Sequence, residues 1–251
     1  MPNIKKSNVL IISLIAILAS IAIAYTLLFS SRFERWYYDY SHENNDVNTE
    51  AKIIEILSKL EKVHFSKLPK SFAENGMYND VKYKALYQHK YFYKLKRDQT
   101  LQKIVGKWRV EDFVSRDQTH NYTYFFDNKD IYWITDEKIL VAFLKLKHEF
   151  EKNDLNWNEL FVSSSHRSPG RNKKVKGAPA SRHICGDAID LDVGDINRDG
   201  TRNQKDKMKV LELCETLIGN KGGIGLYPGT YRVHIDMRGH YARWNSYKPD
   251  I

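Results

Sequence analysis

Ser181-Arg182-His183-Ile184-Cys185-Gly186-Asp187-Ala188-Ile189-Asp190 and, further along, Val233-His234-Ile235-Asp236 are the stretches on which the reading of this chain turns. They offer two imidazoles and a carboxylate from two short, strand-like pieces. Three N/O ligands with a fourth position left for water is the donor set of a catalytic zinc. A closed structural zinc site would draw on Cys, and the chain has only two. His183 and Asp190 are too far apart in sequence for one helical face or one straight strand. The chain must turn between them, and Gly186 permits that turn.

Working outward, the texture from Trp108 onward alternates between elements. Tyr122 to Phe126 and Ile131 to Ile134 look extended. Thr135-Asp136 offers an N-cap to a helix in which Ile139, Phe143, Leu146 and Phe150 recur at helical spacing. Glu159 to Ser165 and Gly186 to Val193 read as strands, Lys205 to Ile218 as a helix, and Ile224 to Leu226 with Arg232 to Met237 as a closing hairpin. The expected fold class is α+β, a small, mainly antiparallel sheet with flanking helices.

Several of these pieces resemble a known family. Ser181, His183, Gly186, Ala188 and Asp190, with His234 and Asp236 on a later strand, are similar to the motif of the zinc D,D-peptidases of bacterial cell walls. These comprise the D-alanyl-D-alanine carboxypeptidases and the murein endopeptidases. Ser165-His166-Arg167-Ser168-Pro169 with Asn172, Gly222-Gly223-Ile224-Gly225-Leu226-Tyr227-Pro228, and Trp244 match in the same order. The Val-His-x-Asp strand is closest to the endopeptidase branch. The resemblance covers roughly residues 108–247.

The resemblance implies His183, Asp190 and His234 as zinc ligands. It implies Arg167, as a catalytic residue and the substrate anchor, with Ser168, Asn172 and Ser181 as substrate-binding residues, because a guanidinium grips a carboxylate in two parallel hydrogen bonds; a structural ion pair is the alternative for Arg167. Ser165-His166 stands where the family often has Gly-Tyr, which alters the pocket wall. Hydrolysis also needs a proton acceptor. The carboxypeptidase branch uses a Glu three residues before the last His, and this chain has Tyr231 there. Asp236 is the candidate catalytic base, or else a partner orienting a ligand imidazole; Asp192 is a weaker candidate. The expected function is hydrolysis of peptide bonds in peptidoglycan stems or cross-links, with endopeptidase preferred over carboxypeptidase. The alternative is an inactive peptidoglycan-binding module that keeps the fold.

A second metal motif follows the zinc strand. Asp195, Asn197, Asp199, Thr201, Asn203 and Asp206 fall at calcium-loop positions, with Gly200 at position 6. Arg202 and the Asp at position 12 depart from that pattern, and an Asx-rich turn is the plainer alternative. The expected cofactors are therefore Zn2+ and, from this loop, Ca2+.

At the N-terminus, Val9 to Ser30 holds no charged residue. About 20 residues at 1.5 Å each span a bilayer core, and Lys5 and Lys6 favour an N-in orientation. The expected organisation is a cytoplasmic segment 1–8, a transmembrane anchor 9–30, a linker and basic, mostly helical stalk 31–107, and a peptidase domain 108–251. That places the catalytic domain outside the cytoplasm, on a membrane-anchored chain or on one secreted after cleavage behind Ala24. The net charge of +9 is concentrated in residues 82–109, with nine Lys or Arg against Asp98 alone. In an exported protein this segment suits anionic lipid or wall polymers better than nucleic acid, and a solvated helix face is plainer still. Peptidoglycan and the membrane are the expected partners. Cys185 and Cys214 read as two buried, unpaired thiols.

Overall fold

The computed structural model describes residues 6–119 and 129–244. The expected strand at Tyr122–Phe126 lies outside the described residues. The chain divides into two units, Met1–Asn45 and Asp46–Ile251.

The first unit holds one helix, α1 (Lys6–Ser41). It does not end near Ser30, where the anchor was expected to end, but runs on through Arg32, Glu34, Arg35 and Asp39. Among the described residues no helix is long and apolar enough to cross a membrane. The expectations of a transmembrane anchor, a membrane partner and a single-pass location are corrected accordingly.

The second unit is mixed α/β, which corrects the fold class expected for the chain. Residues 61–107, read as a mostly helical stalk, carry three strands. Strands β1 (Glu61–His64), β2 (Tyr91–Leu95) and β5 (Ile131–Trp133) form a three-stranded antiparallel sheet in that order, and β3 (Lys103–Val105) pairs with β4 (Trp108–Arg109). The short helix α2 (Glu50–Ser58) precedes β1, and α3 (Lys70–Asn75), α4 (Val81–Tyr87), α5 (Arg97–Leu101), α6 (Val110–Phe113) and α7 (Arg116–Thr119) lie between the strands. The Lys and Arg that look like a solvated stalk alternate with residues that go inward. In α4, Tyr83 and Tyr87 are buried one turn apart while Lys82 and Lys84 face water.

Two apolar clusters result. Tyr78, Tyr83, Tyr87 and Phe92 pack with Tyr132, Ile134 and Ile184 in the smaller one. Its polar tips are satisfied: Tyr87 Oη donates to the Ile184 carbonyl at 2.7 Å, and Tyr78 Oη lies 3.1 Å from His166 Nε2. The segment before Trp108 is thus packed against the turn that carries His183.

The larger cluster lies under a five-stranded sheet of order β10-β8-β9-β7-β6, formed by β6 (Leu160–Ser164), β7 (Ala188–Val193), β8 (Gly223–Leu226), β9 (Arg232–Asp236) and β10 (Ala242–Trp244). All neighbours are antiparallel except β10 and β8. Strand alternation separates its faces. Ile189, Leu191, Val193, Ile224, Leu226, Val233 and Ile235 join the core with α8 (Glu137–Lys152) and α10 (Gln204–Ile218). Asp136 caps α8 by accepting from Lys138 N at 2.9 Å, and Asn203 with Asp206 forms a capping box on α10. Between them runs α9 (Pro169–Lys174), capped by Ser168. The opposite face carries Asp190, Arg232, His234 and Asp236.

Candidate metal centre

Register brings the site together. Asp190 and His234 are direct partners across β7 and β9. His183 reaches them from a 3₁₀ turn, Arg182–Cys185, that ends on Gly186 at φ +76°. A Cβ at Gly186 would stand 2.4 Å from the Ile134 carbonyl oxygen, so both the backbone conformation and the space demand glycine.

The three donor atoms form a small triangle. His183 Nε2 to His234 Nδ1 is 3.1 Å, His234 Nδ1 to Asp190 Oδ1 is 2.9 Å, and His183 Nε2 to Asp190 Oδ1 is 3.1 Å. A tetrahedral zinc with bonds of about 2.0–2.1 Å has ligand–ligand edges of roughly 3.3 Å. The remaining hydrogen bonds leave lone pairs pointing inward. His183 Nδ1 donates to the Ser165 carbonyl at 2.6 Å, and His234 Nε2 meets Asp236 Oδ2 at 3.1 Å. Each ring proton is thereby held on the outer nitrogen, and the inner nitrogens face a carboxylate oxygen.

The electrostatics favour positive charge in that space. Burial pushes Asp190 up, but the His183 and His234 imidazoles outweigh it and hold its carboxyl well below the usual range. Burial lowers His183; it would lower His234 too, but hydrogen bonds to Asp190 and Asp236 raise it. Among the described residues this is the group of three that can hold a metal ion, and its donor set fits zinc.

The surroundings tighten the arrangement. Tyr227 Oη donates to Asp190 Oδ1 at 2.9 Å. The Trp244 ring stands edge-on to His234 with centroids 4.7 Å apart. It fits there because β8 has Gly225, where a Cβ would lie 2.2 Å from the indole. The triad opens into a cleft of about 710 Å³ lined by residues of α6, α9, β6, β9 and the His183 turn.

Other expected site residues fall differently. Arg167 lines the cleft, but its guanidinium pairs with Asp190 and its Nε donates to Ser164 Oγ at 2.8 Å. Ser181 lines the cleft beside His183. Ser168 is buried and bonded to Asp117, serving as the cap of α9. Asn172 is buried, with Nδ2 donating to the Ala178 carbonyl at 2.9 Å.

Asp236, the candidate base, is fully buried and does not line the cleft. Its oxygens accept from Gly223 N at 3.1 Å, from Arg238 Nε at 2.8 Å and from Arg238 Nη2 at 2.6 Å, besides meeting His234. Burial pushes this carboxyl up, but the bonds from His234 and Arg238 prevail and hold it far below its ordinary value. Asp192 is taken by Arg202.

The calcium loop closes on itself. Asp195 accepts from Asp199 N at 3.1 Å and Gly200 N at 2.9 Å, and Asp199 accepts from Thr201 N at 3.0 Å. Asn197 Oδ1 also accepts from Asp199 N, at 2.9 Å. Asp206 is buried and spends both oxygens on Ile196, Asn197 and Asn203 backbone N–H groups. These are Asx turns and a helix cap, so calcium has no support here. Tyr227 and Arg238 were not singled out from the sequence; Tyr227 sits inside a quoted motif, and Arg238 follows Asp236 by two.

A model of the family described as Peptidase M15 matches residues 115–236. No curated protein and no solved structure matches the chain.

Proposed function

From the premise that residues 115–236 belong to the Peptidase M15 family, we propose that this chain is a zinc peptidase that cuts peptidoglycan peptides. The observation that carries this reading is the triangle of His183, Asp190 and His234 at the base of an open cleft. Zinc held there supplies Lewis acidity to a scissile carbonyl and to the attacking water. Tyr227 and Arg167 steady the Asp190 carboxylate, and Asp236 acts through His234 by fixing its tautomer and ring angle. Once substrate enters, the Arg167 guanidinium at the cleft wall is placed to accept a carboxylate or carbonyl in exchange for its contact with Asp190. Ser181 is within the same lining.

Endopeptidase is the preferred activity, because Tyr231 occupies the place of the carboxypeptidase Glu and the cleft is open rather than a closed end-pocket. The substrate places the activity outside the cytoplasm. The test is zinc analysis of the purified chain followed by mass spectrometry of muropeptide digests. Stoichiometric zinc with release of cross-link fragments supports the reading; zinc without cleavage of any stem or cross-link overturns it. The second reading, a peptidoglycan-binding module without turnover, is favoured by one observation: Asp236 is withdrawn from the cleft. It predicts muropeptide binding that His183→Ala leaves intact.

A further inference from the structure

The metal cleft is strongly basic, and its cations differ in how they are employed. Arg167, Arg182 and Arg238 are each paired with a carboxylate, on Asp190, Asp187 and Asp236. Arg116, Arg171 and Arg232 line the same cleft and have no carboxylate partner among the described residues. The acid nearest Arg232 in register, Asp192, is held by Arg202. Of the three acidic residues in the lining, Glu111 and Asp112 stand on α6, where Asp112 caps the helix through Arg109 N at 2.8 Å, and Asp190 belongs to the metal triangle.

The three guanidiniums are brought together by built structure. Arg116 and Arg171 sit on α7 and α9, which one buried network ties together. Asp117 accepts from both Ser115 and Ser168, Ser168 N donates to Ser115 Oγ at 3.1 Å, and Arg171 N donates to Ser168 Oγ at 3.0 Å. Asp117 is thereby bonded to hydroxyls and makes no ion pair with Arg116. Arg232 is two residues before His234, on the same face of β9. The charges feel one another: burial lowers the Arg116 guanidinium from its ordinary value, and Arg171, Arg232 and Arg167 lower it further. Holding like charges together in a cleft is unfavourable unless an anion joins them.

Spacing places that anion. Two residues of strand separate Arg232 from His234, roughly 7 Å at about 3.4 Å per residue. An extended peptide bound at the triangle would bring a group about two residues from the cut bond under Arg232. We propose that Arg116, Arg171 and Arg232 form a subsite for a second carboxylate of the peptide substrate, about two residues from the scissile bond. This rests on the peptidase reading above and deepens it: the chain selects stem peptides whose carboxylate is free over those in which it is amidated.

The test uses the full, zinc-loaded chain and two cross-linked stem peptides identical except that one carboxylate is a carboxamide in the second. The readout is the ratio of their kcat/KM values, expressed mainly in KM. The wild-type ratio is expected to be about tenfold in favour of the carboxylate, the scale of a lost charge-assisted contact. It should fall near one in Arg232→Gln and in Arg116→Gln/Arg171→Gln, recover in Arg232→Lys, and shrink as salt is raised. Zinc content and thermal midpoint report whether each variant folds. Calorimetric titration of both peptides into metal-stripped chain reads binding without turnover. Cleavage of both peptides at equal kcat/KM overturns the subsite and leaves the peptidase reading standing. Tighter binding of the carboxylate peptide with no cleavage of either supports the subsite and sinks the peptidase reading. Equal binding of both peptides, with glycerol phosphate oligomers bound more tightly than either, overturns the subsite in favour of a phosphate polymer site.

Discussion

Nε2 of His234 lies 3.1 Å from Oδ2 of Asp236, on the side of the ring away from Asp190. A carboxylate so placed sets which nitrogen carries the proton. Asp236→Asn should lower zinc affinity by about 10–100-fold, the usual cost of losing a partner behind a ligand imidazole. Competition with a chromophoric chelator measures it. Unchanged zinc affinity with abolished turnover would instead make Asp236 the proton acceptor.

Gly225 is the floor on which Trp244 rests. Gly225→Ala puts a methyl where the indole now sits, and overpacking of this kind costs about 1–3 kcal/mol. The denaturant midpoint should drop with little change in slope. Zinc retention should weaken as Trp244 leaves the His234 ring. A variant as stable as wild type would show that β10 shifts freely.

His166 supplies a pH signature. It is fully buried, and burial depresses its imidazole from 6.5 to about 4. The native chain therefore holds it neutral, whereas the unfolded chain protonates it near 6.5. Between those values the unfolded state binds more protons, so stability is complete above about pH 6.5 and is lost as pH falls toward 4. The loss is on the order of 3 kcal/mol by linkage. Urea titrations at pH 7.5 and pH 5 should show about two thirds of it, and His166→Phe should flatten the difference.

Both thiols should be silent in the native state. Burial pushes the Cys214 thiol up to about 12 and raises Cys185 as well. At pH 8 neither presents thiolate, and both are unpaired. Alkylation followed by mass spectrometry should find them unmodified until denaturant is added. Rapid native labelling of Cys214 would mean that α10 opens readily.

The metal triangle was legible because chemistry restricts it. Few arrangements other than a metal site bring His183, on a turn ended by a glycine, against Asp190 and His234 on two adjacent strands. The helix of Ile139, Phe143, Leu146 and Phe150 was legible through its period. The role of Asp236 was not, since strand alternation puts it on the same face as His234 without revealing that Arg238 and Gly223 enclose it. Residues 61–107 were misread for a similar reason. Tyr83, Tyr87 and Phe92 lie among lysines, and their partners Tyr132, Ile134 and Ile184 are distant in sequence. A four-residue aromatic spacing in α4 and alternation in β2 were the available signals. The apolar run of residues 9–30 carried a membrane expectation, yet among the described residues no helix is long and apolar enough to cross a membrane.

The bond from Tyr87 to the Ile184 carbonyl bears on how this gene can be divided. A clone opening at the Trp108 codon would discard Tyr78, Tyr87 and Phe92, expose Ile134 and Ile184, and leave His166 and the His183 turn without their backing. Such a fragment should come out of expression insoluble or poor in zinc, whereas one opening at Asp46 keeps the whole compact unit. Swapping halves between relatives would meet the same seam: the portion upstream of Trp108 has to travel with the His183, Asp190 and His234 triangle as a single heritable piece.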